Sequence, residues 1–197
     1  MERQPYTFYT QTPISAARAL LGQRLVRITE DGQRLAGRIV EAEAYGGADD
    51  MPSHAYRGVT SRNRPMFGPP GHAYVYFIYG MYWMFNVVAH AEMPPGAVLI
   101  RALEPEEGVE RMRQQRHGQP YGQLTNGPAR LAQALAIDGT LNDVDLCTHP
   151  RLFIEPCAPL PDEAIACGPR VRPPGTDEEA KLRPWRFWIC DNPFVSK

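Results

Sequence analysis

The chain has 197 residues, 43% of them hydrophobic and 22% charged, with a formal net charge of −1. That length buries one good core and is short for two, and Arg, His, Asn or Gly interrupts every apolar run before it reaches membrane-spanning length. A near-neutral balance argues against the strongly basic class of nucleic-acid binders, and Met1-Glu2-Arg3-Gln4-Pro5 lacks the apolar core of a secretion signal.

Thr12-Pro13 opens a helix with Thr as N-cap; Ile14–Leu21 continues it and Gly22 stops it. Gln23–Ile28 reads as a strand, Asp31-Gly32 as a hairpin turn and Arg34–Tyr45 as the returning strand. Pro52 to Gly71 is a loop rich in Pro, Gly, Ser and Arg, and its length marks it as functional. In the aromatic stretch that follows, Ala73–Ile78 and Met84–Ala89 flank a turn at Tyr79-Gly80-Met81-Tyr82-Trp83. Pro94-Pro95-Gly96 is a turn, Ala97–Leu103 a strand, Pro105–Arg116 a charged helix and Gly118–Tyr121 a loop. Asn126-Gly127-Pro128 starts a further helix through Ile137. Short strands near Leu152–Glu155 and Trp185–Cys190 are divided by the Pro/Gly-rich loop Gly168–Gly175. The expected fold is α+β: one domain over residues 1–197, with a mainly antiparallel curved β-sheet, surrounding helices and a protruding β-hairpin.

Cys147, Cys157, Cys167 and Cys190 contain no C-x-x-C pair, and their spacing suits neither a zinc site nor a dense disulfide framework. They read as reduced thiols in a cytoplasmic protein. The charge is uneven. Residues 51–91 hold no Asp or Glu yet carry Arg57, Arg62 and Arg64; residues 111–137 are also acid-free and carry Arg111, Arg113, Arg116 and Arg130. A neutral chain with such segments can present one positive face.

Tyr74 to Asn86 contains seven aromatic residues in thirteen. Tyr74, Tyr76 and Ile78 share one strand face, and Val75, Phe77 and Tyr79 the other. An aromatic-rich core hairpin is one reading; a stacking surface for flat rings, with Tyr79 at an exposed tip, is the other. In the returning strand Glu41, Glu43 and Tyr45 lie on one face. Two carboxylates at that spacing repel each other, so one is a candidate general base for water; the competing reading is a solvated strand end with Glu41 paired to an Arg. His54 has no second His at ligand spacing, which removes a metal site from consideration. Asn86 sits among apolar residues and needs hydrogen-bond partners. Arg101, inside Val98–Leu103, demands an anion, for which Glu41 and Glu43 are the candidates. Arg62-Asn63-Arg64 could grip phosphates. The only lysines are Lys181 and Lys197, which counts against an imine mechanism.

Ile39–Tyr45, His54, Arg62–Phe67, Tyr74–Tyr82, Asn86, Leu99–Pro105 and Asn126–Leu131, in this order, closely resemble the alkyladenine (3-methyladenine) DNA glycosylase family, over about Ala17 to Ser196. The loop between His54 and Met66 is shorter than in mammalian relatives. The resemblance implies a monofunctional glycosylase without a cofactor, acting as a monomer on double-stranded DNA with a damaged purine, nucleoid-associated in a bacterium. It implies that Glu43 activates water beside Arg101, with a backbone carbonyl of Val171 or Arg172 assisting. Tyr45, His54 and Tyr76 would enclose the flipped base, Asn86 would crowd the amino group of guanine, and Met81 would also touch substrate. Tyr79 would fill the gap in the duplex, with Tyr82, Arg57, Arg62, Arg64 and Arg130 on the DNA. Two other readings stand beside it: a catalytically silent binder of damaged or single-stranded DNA, and a hydrolase of free nucleosides.

Overall fold

A computed structural model of the chain describes residues 2–91, 94–171, 173 and 177–196. The elements in chain order are α1 (Tyr6–Tyr9), α2 (Pro13–Leu20), β1 (Arg24–Ile28), β2 (Arg34–Tyr45), β3 (Ala73–Ile78), β4 (Tyr82–Val88), β5 (Ala97–Glu107), α3 (Val109–Gln115), α4 (Pro128–Ala134), β6 (Leu152–Glu155), β7 (Ile165–Gly168), α5 (Glu178–Leu182) and β8 (Arg186–Ile189). Thr12 accepts the Ser15 N–H with Pro13 in the first turn, which fixes where α2 begins.

The strands form one open, curved antiparallel sheet in the order β3-β4-β5-β2-β1-β6, with β8 joining β2 and β7 joining β8. Its centre is β2. Arg34–Arg38 pairs with β1, whereas Glu41–Glu43 pairs with β8, and β5 runs along the other edge of both halves. Register shifts around Glu41 mark the point where β2 changes partner. A continuous core of β2, β4 and β5 residues, including Leu35, Ile39, Phe85 and Ile100, packs against Leu20 of α2 and Leu131 of α4.

The expected α+β sheet is present, with differences at element ends. The helix expected from Pro105 begins at Val109, because β5 runs on to Glu107. Pro105, which has no N–H to give, pairs with Gly37 at a register shift, and a Cβ on Gly37 would stand 2.9 Å from the Glu104 carbonyl oxygen. Gly108, at φ +72°, then breaks the strand. The helix expected to reach Ile137 ends at Ala134, with Ala136 at positive φ. The Pro52–Gly71 loop holds a short 3-10 turn at Arg64–Phe67, and α1, β7 and α5 carry no periodic signal in the sequence. Part of the Gly168–Gly175 loop, Arg172 included, lies outside the described residues.

The aromatic hairpin combines both expected readings. Its base is core: Tyr74, Val75, Phe85 and Val87 are buried. It is also braced from the side, since the Val75 N–H donates to Asn142 Oδ1 and Trp83 lies so close over Gly139 that a Cβ there would stand 2.7 Å from the indole. Its tip projects, with Tyr79 79% and Met81 63% exposed. The turn is tighter than expected, because Tyr82 and Trp83 already belong to β4. Tyr79 and Gly80 both have positive φ, and the Met81 N–H returns to the Ile78 carbonyl. Gly accommodates that backbone freely, whereas a bulky residue such as Tyr79 does so against a steric penalty.

Candidate active site

The first half of the site comes from the middle of β2. Glu41 and Glu43 are both fully buried, so the solvated strand end is overturned: each carboxylate faces a set of donors from elsewhere in the chain. Glu41 accepts the Arg101 Nε–H at 2.9 Å, the Arg186 Nε–H at 2.7 Å, the Ser196 N–H at 2.7 Å and the Ser196 hydroxyl at 2.8 Å. Oε1 takes three of those bonds and Oε2 one, so Glu41 is held by four donors from three residues. Glu43 is held differently. The Val171 N–H reaches its Oε1 at 2.6 Å; the Tyr45 hydroxyl at 2.9 Å and Arg101 Nη1 at 3.2 Å reach its Oε2. Among the described residues these three donors leave one acceptor direction of about four, enough for one water. Arg101 therefore bridges the two glutamates. Burial works against its charge, but Glu43 and Glu41 outweigh it and push its pKa above the usual value.

Beside Glu43 opens a cavity of about 460 Å³, walled by Tyr45, His54, Tyr74, Tyr76, Asn86 and Arg101 among others. This is within the size range of small-molecule sites. β2 supplies Tyr45, β3 supplies Tyr74 and Tyr76 from one face, and β4 supplies Asn86. His54 enters from the long loop, which Asn63 holds in shape by donating to the His54 and Gly58 carbonyls. The His54 ring meets Tyr76 edge-on at 4.7 Å between centroids.

Proton positions follow from burial. Desolvation, with the Glu43 charge as the next cause, raises the Tyr45 phenol well above its ordinary range, so it stays a donor to Glu43. Burial likewise raises Tyr74, and Tyr76 up to about 12. Burial, and then the nearby Arg62 charge, lower His54. A protonated Tyr74 hydroxyl 2.8 Å from His54 Nδ1 donates to it, which puts the neutral imidazole's N–H on Nε2. Asn86 donates to the Tyr74 carbonyl at 2.9 Å.

Tyr45 is also supported from behind. Arg170 is buried, makes a two-point contact with Asp50 at 2.8 and 2.7 Å, and stacks 4.7 Å from the Tyr45 ring centroid and 5.1 Å from that of Trp185. This pair sits immediately before Val171 and steadies the turn whose N–H holds Glu43.

Of the residues singled out in the sequence, Glu43, Tyr45, His54, Tyr76, Asn86 and Arg101 converge on the cavity or directly beneath it. Tyr79 reaches its rim, and Met81 and Tyr82 stand exposed on the hairpin beyond. Arg57 and Arg64 are exposed, as is Arg130, which donates to Asn126 at 2.7 Å. Arg62 is turned back onto the hairpin: it donates to the Phe77 carbonyl at 2.9 Å and lies 5.0 Å from the Tyr76 centroid. Val171 contributes its N–H to Glu43, while Arg172 is outside the described residues. Arg170, Asp50, Arg186 and Ser196 were not singled out. An Arg amid a Pro/Gly-rich loop is the one available sign for Arg170, and the others carry none. Tyr74 was visible through its shared face with Tyr76.

An aromatic cavity beside a buried, donor-held carboxylate has walls that can stack a flat ring and a charged group that can act on it. Residues 7–193 match the family described as Methylpurine-DNA glycosylase (MPG), and the chain belongs to that family: it is of the class that hydrolyses N-glycosyl bonds, with DNA as its partner. Similar chains share the name "Putative 3-methyladenine DNA glycosylase". That of Methanocella arvoryzae is 46% identical over 194 residues, covering 98% of this chain and 95% of its own length. That of Myxococcus xanthus is 45% identical over 195 residues, covering 98% and 93%. That of Chlorobaculum parvum is 42% identical over 196 residues, covering 100% and 91%. Among the described residues no helix is long and apolar enough to cross a membrane.

Proposed function

We propose that this chain is a monofunctional DNA glycosylase of base excision repair, working as a monomer and as a single domain over residues 1–197. It rotates an alkylated or deaminated purine (3-methyladenine, 7-methylguanine, hypoxanthine or ethenoadenine) out of duplex DNA and hydrolyses its bond to deoxyribose, leaving an abasic site. The observation that carries this reading is Glu43: a fully buried carboxylate that, among the described residues, has three protein donors and one acceptor direction left, next to a ring-lined cavity.

Each part has a physical task. Extruding a base costs a few kcal/mol, least for lesions that pair or stack badly, and Tyr79 at the hairpin tip offsets part of that by filling the vacated stack. Met81 and Tyr82 flank it on the DNA side, and Arg57, Arg64 and Arg130 hold phosphates without reading sequence. Tyr45, His54 and Tyr76 enclose the base; aromatic faces attract a cationic purine by about 0.5–2 kcal/mol per contact. The His54 Nε2–H donates to a neutral lesion as its leaving group gains charge, and Asn86 crowds the amino group that guanine carries. As the base departs the sugar becomes oxocarbenium-like. Glu43 stabilises that charge and orients water, and Arg101 fixes the carboxylate. Lysine is absent from the described cavity wall, in keeping with hydrolysis without a lyase step. A silent binder would have no use for a buried charge at Glu43.

The test is incubation of the protein with duplexes carrying single 3-methyladenine, hypoxanthine or ethenoadenine residues, followed by alkaline cleavage. Strand breaks at the lesion are expected; intact strands with all three would overturn the reading.

A further inference from the structure

Three guanidiniums surround the cavity, and they differ in how their charge is met. That of Arg101 faces Glu41 and Glu43. That of Arg170, behind Tyr45, faces Asp50. Arg62 lies against Tyr76 at 5.0 Å, with the Phe77 carbonyl and the Tyr74 hydroxyl as uncharged partners; no carboxylate pairs with it among the described residues. Arg62 is not itself in the cavity wall: it lines a neighbouring groove with Val75, Phe77 and Trp83, against the edge strand β3. One face of Tyr76 is thus occupied by an uncompensated cation while the same residue walls the cavity.

A ring attracts cations through its negative face, and a cation already stacked on one side opposes a second on the other. A positively charged purine against the cavity side of Tyr76 would lie within about one screening length of Arg62, roughly 8–10 Å at physiological salt. A neutral purine meets no such opposition. Resting on the glycosylase reading, we infer that Arg62 is a specificity-determining residue that biases the site toward neutral purine lesions and away from cationic ones. It acts through the Tyr76 ring, and its bond to the Phe77 carbonyl holds it in place for that role.

The experiment compares binding to otherwise identical duplexes carrying 7-methylguanine, a cationic lesion, or hypoxanthine, a neutral one, with base release followed in parallel, for the wild-type protein, Arg62→Gln and Arg62→Lys. Arg62 is exposed, so neither variant disturbs the core. Arg62→Gln is expected to raise the ratio of cationic-lesion to neutral-lesion affinity by about three- to tenfold, the effect of removing one partly screened charge at that range. Arg62→Lys, which keeps the charge, is expected to restore most of the wild-type ratio. An unchanged ratio overturns the inference. So does an equal fall in both affinities together with weaker binding to undamaged duplex, which would make Arg62 a phosphate clamp. Absence of release from either lesion by the wild-type protein overturns the glycosylase reading itself, and this inference with it.

Discussion

Replacing Glu41 by Gln is expected to damage stability rather than chemistry, although Glu41 and Glu43 are two residues apart on one strand face. Glu41 is fully buried and accepts four bonds, two of them from guanidiniums and two from Ser196. An amide keeps one accepting oxygen, turns its other end into a donor facing donors, and removes the charge that two arginines share. Removing one partner of a buried ion pair costs about 3–5 kcal/mol. The lower end applies, because Arg101 keeps Glu43 and the Arg186 side chain is 18% exposed. At about 2–4 °C per kcal/mol for a chain of this size, the melting temperature should fall by roughly 6–12 °C. Calorimetric or circular-dichroism melts of the wild-type protein and Glu41→Gln provide the measurement. A variant that melts within about 2 °C of the wild type, the equivalent of less than about 1 kcal/mol, would refute the view that Glu41 anchors the floor of the site.

Tyr79→Ala should weaken binding to a duplex lesion by about tenfold or more, in line with the 1–3 kcal/mol typical of a base–aromatic stack, and weaken binding to the same lesion in a single strand far less. Titrations of both substrates decide this; equal losses would remove the plug role. His54 should make stability depend on pH. Burial, then the Arg62 charge, lower its folded pKa beneath the unfolded value of about 6.5, so its contribution is present above pH 6.5 and is lost as pH falls below it. His149, lowered by burial and by Arg151, adds a second contribution of the same sign. Urea unfolding at pH 7.5 and 5.5 should therefore show a smaller loss for His54→Gln than for the wild-type protein, and identical losses would contradict this assignment.

Much of the scaffold was readable locally. Asp31-Gly32 and the alternation after it delimit β2 correctly from Arg34 to Tyr45, and Thr12-Pro13 marks the start of α2. What misled was chemistry that depends on distant partners. Glu41 and Glu43 resemble a solvated strand end because, apart from Arg101, whose place in an apolar strand points to them, their distant donors Val171, Arg186 and Ser196 lie 128 to 155 residues away in sequence. Pro105 reads as a helix start, yet opposite Gly37 the sheet has no need of its missing N–H. The Arg170–Asp50 pair behind Tyr45 is invisible for the same reason: a loop arginine declares its burial only when the carboxylate it meets is brought over from 120 residues earlier.

The proposed role of Glu43 in the hydrolysis is tested by single-turnover base release by Glu43→Gln, measured beside its binding to the same lesion duplex. Gln keeps the shape and one accepting oxygen for the Val171 N–H while losing the charge that orients water and faces the developing cation. Release is expected to fall by about 10²-fold or more, the range for removing an electrostatic or general-base group, with binding retained or strengthened. Release at the wild-type rate would contradict it.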